Sequence, residues 1–176
     1  MTLLEVMVAV LVLSVAVYIL TSTVMASVHH SIAKGQRTLA VQGAMNAIER
    51  IRALPQQDVF AEYNTVTTDD PYGAGTGRGR YFDVEGLDGV RNAQGEVQPV
   101  GQILLPGRGA MLIESMNQPE FGLPRDLDGN MSIDSEDCCD SYIVLPIIVR
   151  MEWQSRTGTR SFEMATMLAD LAKWTP

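Results

Sequence analysis

After Glu5 the chain carries no Asp, Glu, Lys or Arg until Lys34, an uncharged run of 28 residues from Val6 to Ala33. Its first part, Val6 to Leu20, reads VMVAVLVLSVAVYIL, with Ser14 the one clearly polar residue. Roughly 20 consecutive apolar residues are enough for a helix to cross a bilayer. The β-branched residues do not argue against helix, because in lipid the backbone must satisfy its own polar groups. This stretch is predicted to be a helix that lipid or other protein chains must cover. A signal peptide is not expected here, since the run lacks the usual basic segment before it and an obvious small-residue cleavage site after it.

From His29 the pattern changes. Ile32, Leu39, Met45 and Ile48 lie among Lys34, Gln36, Arg37, Gln42, Glu49, Arg50 and Arg52. That spacing predicts an amphipathic continuation with a narrower apolar stripe. Gly35 and Gly43 weaken it slightly, and Pro55 is a natural stop. An unbroken helix to that point would be about 80 Å long at 1.5 Å per residue. The chain is accordingly divided into residues 1–28, an apolar membrane or filament-core half; 29–54, an amphipathic half; and 55–176, a polar body. His29 and His30 are expected to be polar helix positions rather than ligands.

The acidic balance of the chain, 21 Asp+Glu against 13 Lys+Arg, lies almost wholly in that body. It lacks the basic footprint of a nucleic-acid binder, so no direct contact with nucleic acid is expected. Two cysteines cannot build a disulfide scaffold. The composition is too apolar for a disordered chain.

Residues 56–79 are expected to be loop, with TTDDPYGAGTGRGR rich in the residues that make turns. Short strands are expected at Arg80 to Val84, Gly101 to Leu105 and Met111 to Glu114, with a surface loop from Gly86 to Gly101. The clearest β signal is YIVLPIIVRMEW, Tyr142 to Trp153. It is β-branched and aromatic, and its second half alternates, with Ile148, Arg150 and Glu152 set against Val149, Met151 and Trp153. QSRTG then turns the chain, and Thr159 to Leu168 returns as the second arm of an antiparallel hairpin. Pro146 marks an edge or a bulge. The fold class is α+β: one long N-terminal helix whose second half packs on a small antiparallel sheet, burying Ile32, Leu39, Ile48 and Ile51.

A carboxylate at the head of an apolar helix is costly to bury and usually has a partner, unless it sits at the lipid headgroups. Here MTLLEVMVAVLVLS resembles the mature N-terminus of type IV pilins and of the pseudopilins of type II secretion. Thr2, Leu3, Leu4, Glu5 and Val6 all match that pattern, and the wording resembles most the minor pilins of the pilus-modification type and one minor pseudopilin class. The resemblance implies that a leader has been removed before residue 1 and that Met1 carries an N-methylated amine. It implies that Glu5 pairs with the N-terminal amine of a neighbouring subunit, where pairing offsets part of the lost hydration of two charges. It also implies a prepilin peptidase, an assembly platform, and copies of this chain or other pilins as partners. Storage in the inner membrane would precede assembly into an extracellular filament. Ser22 stands where many major pilins have Pro, so a continuous helix is expected. The alternatives are a minor or tip pseudopilin of a secretion or DNA-uptake machine, and a membrane-anchored surface binding module.

Residues 126–137 read DLDGNMSIDSED. Oxygen-bearing side chains fall at loop positions 1 (Asp126), 3 (Asp128), 5 (Asn130), 9 (Asp134) and 12 (Asp137), with Ser132 at 7, where the backbone carbonyl ligates. Calcium takes six to eight hard oxygen ligands, and this spacing wraps them around one ion. The loop resembles those of EF-hand and dockerin type and implies a structural Ca2+. It departs in having Met131 at position 6, where Gly makes the sharp turn, and Asp rather than Glu at position 12. An acidic solvated turn is the alternative. Cys138 and Cys139 follow at once, and three states stay open for them: a vicinal disulfide, free or buried thiols, or bonds between chains. GAGTGRGR lacks the strand and the Lys-Ser/Thr of a phosphate loop. With no nucleophile–base arrangement visible, the chain is expected not to be an enzyme.

Overall fold

The computed structural model describes residues 2–170. Two compact units are distinguished, residues 1–38 and 39–176. Helix α1, Leu3–Arg52, contributes to both. It is followed by α2 (Gln56–Tyr63), β1 (Tyr81–Phe82), β2 (Gly101–Leu104), a 3-10 turn at Pro119–Phe121, β3 (Val144–Ser155) and β4 (Gly158–Ala169). The architecture is α+β, with a long N-terminal helix and a four-stranded antiparallel sheet in the order β1-β2-β3-β4.

In the first unit every residue from Thr2 to Ile32 is exposed. α1 is long and apolar enough to cross a membrane. Its hydroxyls bond within the helix. Ser14 Oγ donates to Val10 O at 2.8 Å, Thr21 Oγ1 to Val17 O at 2.9 Å, and Ser22 and Thr23 both to Ile19 O. Such back-bonding leaves these polar side chains compatible with an apolar surrounding. The helix passes Ser22 without a break, as expected for a residue that keeps its backbone N–H.

In the second unit α1 buries a stripe of small residues, Ala40, Gly43, Ala44 and Ala47, followed by Ile48 and Ile51. This corrects the expected stripe. Ile32 and Met45 are exposed and Leu39 is half-buried, while Ile48 and Ile51 are buried as predicted. The reason is distance of approach. A Cβ added to Gly43 would lie 2.5 Å from Val84 Cγ2 and 3.4 Å from Met151 Cε. Small residues bring the helix backbone close to the sheet, where a large residue would hold it off.

β3 is the central strand. Leu145 to Val149 is buried throughout, and beyond it Met151 and Trp153 are buried while Arg150 and Glu152 are exposed. From Val149 onward the alternation is the one the sequence predicts, while Ile148, which it sets with Arg150 and Glu152, is buried too. β2 pairs with β3 only from Leu104↔Ile148 to Gly101↔Met151. Pro146 lies beyond that overlap and pairs with β4 alone, at Met167, so its missing N–H costs no bond on the β2 side.

Two expectations are corrected. Residues 56–63 form α2 rather than loop, burying Val59, Phe60 and Tyr63. Its anchor is Tyr142, whose hydroxyl donates to Gln56 O and accepts from Phe60 N. Gln56 Nε2 returns a bond to Ile143 O at 2.6 Å. Met111 to Glu114 is not a strand of the sheet. It makes only isolated bridges, Arg108↔Met111 and Ile113↔Asp137. Its N–H groups are drawn away from a ladder, Leu112 N donating to the Asp137 carboxylate at 2.9 Å.

Candidate functional site

Two places were predicted to carry function, the opening turn of α1 and the acidic loop. At the first, Met1 lies outside the described residues. Thr2 and Glu5 face each other across the first helical turn. Glu5 N donates to Thr2 Oγ1 and Thr2 N donates to Glu5 Oε2, each at 3.4 Å. This is the reciprocal arrangement of a capping box, from a Thr-x-x-Glu spacing that the sequence displays openly. Glu5 is exposed. Its carboxylate is thus held beside the first free N–H groups of the helix, where negative charge is favoured.

At the second place the chain turns on its own side chains. Asp126 accepts Gly129 N at 2.6 Å through Oδ1 and Met131 N at 2.9 Å through Oδ2. Asp128 accepts Asn130 N at 3.0 Å, and Asn130 Oδ1 accepts Ser132 N at 2.7 Å. Met131 has φ +67°, the one non-glycine with positive φ among the described residues. The sharp turn that position 6 normally assigns to glycine is therefore made here, with a side chain that disfavours it.

Two of the expected carboxylate ligands, Asp126 and Asp128, are brought together. Among the described residues, the carboxylates that converge are Asp126, Asp128 and a third that the loop does not contain, Glu114. One oxygen from each lies within 4.8 Å of the others. Asp137 instead ties the loop to its neighbour, accepting Leu112 N at 2.9 Å and Cys139 N at 3.2 Å. Asp134 Oδ1 accepts Glu136 N at 2.9 Å, and its carbonyl accepts Ser115 N at 3.0 Å. Asn130 and Ser132 are exposed.

Glu114 is 1% exposed. Its Oε1 accepts Leu127 N at 2.6 Å and Asp128 N at 3.1 Å. Its Oε2 is buried and has no hydrogen-bond partner. The segment 111–115 thus forms the floor of the acidic loop, joined to it at Leu112, Glu114 and Ser115. Oxygen donors of this kind suit a hard divalent cation.

Cys138 and Cys139 are both free thiols. Cys138 is buried and its Sγ donates to Leu112 O at 3.1 Å. Burial first, then the negative charges of Glu114, Asp128 and Asp137, push the Cys138 thiol up to about 12. Cys139 is pushed up to about 11, by burial and then by Asp137 and Asp140. Neither is an activated nucleophile, which needs a lowered pKa.

Comparison of the chain with protein-family models, with curated proteins and with solved structures gives no match.

Proposed function

We propose that this protein is a structural subunit of a type IV pilus-like extracellular filament. The first part of α1 holds it in the inner membrane before assembly, and the same surface then packs against other α1 helices in the filament core. The sheet-bearing unit would face outward. Its partners are copies of itself or other pilins, delivered by a prepilin peptidase and an assembly platform. The role is architectural, not catalytic.

The observation that carries this reading is the first unit of the chain. It is a helix whose residues from Thr2 to Ile32 are all exposed, apolar in its side chains, self-satisfied in its hydroxyls, and headed by a single carboxylate, Glu5. A plain anchor accounts for the apolar surface, and the cap with Thr2 gives Glu5 a local role, but neither calls for a full negative charge at the head of an apolar helix. Pairing with a neighbour's N-terminal amine gives that charge a use.

The test is Glu5→Ala in the native cell. The variant is expected to insert in the membrane at normal levels and to be missing from sheared surface filaments. Filament incorporation at wild-type yield would overturn the reading.

A further inference from the structure

We propose that Glu114, Asp126 and Asp128 together bind a calcium ion, with Glu114, outside the acidic loop, as the buried ligand. Two independent observations meet here. The first is the convergence of three carboxylate oxygens within 4.8 Å of one another, brought together from two separate segments. The second is the state of Glu114. It is 1% exposed, one oxygen is saturated by two backbone N–H groups, and the other, Oε2, is buried with nothing to bond to. A buried carboxylate oxygen without a donor is costly. Neither Asp126 nor Asp128 can relieve it, since ionised carboxylates only accept. A cation held among the three carboxylates would compensate the buried charge of Glu114 and the repulsion among all three.

The division of labour within the loop follows. A calcium loop of the EF-hand kind takes a bidentate Glu from its position 12. Here position 12 is Asp137, which lies outside the cluster of converging carboxylates and accepts Leu112 N and Cys139 N through Oδ1. Glu114 is the longer carboxylate that the loop lacks, supplied from the floor. Asp126 accepts two backbone N–H groups, and Asp128 accepts Asn130 N and Nδ2; both keep acceptor capacity, because an ionised carboxylate offers about four lone-pair sites. Calcium fits better than magnesium. The carboxylates sit on irregular backbone, which calcium's flexible coordination tolerates and magnesium's rigid octahedron does not. All three ligands are oxygens, the hard donors calcium prefers.

The proposal does not depend on the filament reading, because binding is read on the isolated chain. The full chain, purified in non-ionic detergent and stripped with chelator, is dialysed to equilibrium against radioactive calcium with excess magnesium present. Saturable binding of a single ion is expected, with added calcium also raising the thermal unfolding midpoint. Glu114→Gln keeps an acceptor for Leu127 N and is expected to weaken binding at least tenfold. Asp126→Asn is the second variant, with the same loss expected, should Glu114→Gln fail to give a native near-ultraviolet circular dichroism spectrum. Asp134→Asn, outside the cluster, is expected to bind as the wild type does. The proposal is overturned by absence of saturable binding at millimolar calcium. It is overturned equally by undiminished binding in a folded Glu114→Gln or Asp126→Asn, or by a tenfold loss in Asp134→Asn.

Discussion

Glu114 Oε1 accepts the buried amide of Leu127 at 2.6 Å, across thirteen positions of sequence. The same oxygen takes Asp128 N, so one carboxylate fixes the entry to the acidic loop. Its loss leaves a buried donor unpaired and frees the loop from its floor. Glu114→Ala is expected to destabilise the chain by roughly 2–4 kcal/mol even without divalent ions, since bonds to charged acceptors are the stronger kind. Glu114→Gln, which retains a carbonyl acceptor, is expected to cost distinctly less. Urea unfolding in non-ionic detergent with chelator, followed by tryptophan fluorescence, measures both; equal midpoints for the two variants would contradict this account.

The two glycines of α1 should respond with opposite sign to the same substitution. Both lie in helix, where Ala is favoured over Gly by about 1 kcal/mol. At Gly35 an added Cβ meets nothing within 4 Å, so Gly35→Ala should stabilise by roughly 0.5–1 kcal/mol. At Gly43 the same atom would come within 2.5 Å of Val84 Cγ2, so the helix or the 84 segment must shift. Gly43→Ala should destabilise by roughly 1–3 kcal/mol despite its better propensity, the usual range for overpacking. Thermal unfolding midpoints of the two variants, measured side by side, check the difference in sign.

Thr2 and Glu5 allow capping to be separated from assembly. Their reciprocal bonds stabilise only the start of the helix. Removing an N-terminal cap costs about 1 kcal/mol, little against the rest of α1. Thr2→Ala is therefore expected to leave filament yield close to normal, whereas Glu5→Ala abolishes it. Glu5→Gln keeps much of the cap but removes the charge, so it should behave like Glu5→Ala. Counts of sheared filaments from the three strains decide the matter. Normal assembly with Glu5→Gln would mean that the cap, and not the charge, is what the helix needs.

Much of this fold is legible where one residue pattern has one physical cause. The alternation of Val149, Met151 and Trp153 against Arg150 and Glu152 gives β3 its buried and exposed faces, and QSRTG gives the turn to β4. The long apolar run gives the first part of α1. Legibility fails where a small residue does the packing. Ile32 and Met45 carry the large apolar surface, yet the face that meets the sheet is Ala40, Gly43, Ala44 and Ala47, chosen for closeness. It fails again at α2, an eight-residue helix held by Tyr142 from far along the chain, which no local pattern announces. In the acidic loop the spacing of Asp126 and Asp128 identifies two members of the carboxylate cluster. Asp134 and Asp137 lie outside that cluster, their carboxylates accepting backbone N–H groups, and the spacing cannot reveal Glu114. The only hint of Glu114 is a lone acid closing the apolar run MLIE, and nothing in the spacing connects it to a loop twelve residues on.

The thiols give the alkaline limb of stability a definite sign. Cys138 is raised from 9.0 to about 12 in the folded chain, chiefly by burial, and Cys139 from 9.0 to about 11. Tyr142 is raised from 10.0 to about 12, again chiefly by burial. Each of these groups is neutral when protonated, and in each the folded chain holds its proton to higher pH than the unfolded one does. Below pH 9 the protons are bound in both states and the contribution is fully present. Between about 9 and 12 the unfolded chain binds fewer protons, so stability falls as pH rises. Cys138→Ala and Tyr142→Phe each remove one titrating group, and each should flatten this fall relative to its own stability at pH 8. The same shifts predict slow alkylation. Cys139, the less buried thiol, should react with iodoacetamide at pH 8.5 well below the rate of an unfolded control, and should approach that rate only near pH 11. Unfolding midpoints from pH 8 to 11, together with alkylation rates by mass spectrometry, test both. A stability that rises over that interval, or a Cys139 that reacts at pH 8.5 as fast as the unfolded chain, would refute the assignment of these thiols to a desolvated, negatively charged surrounding.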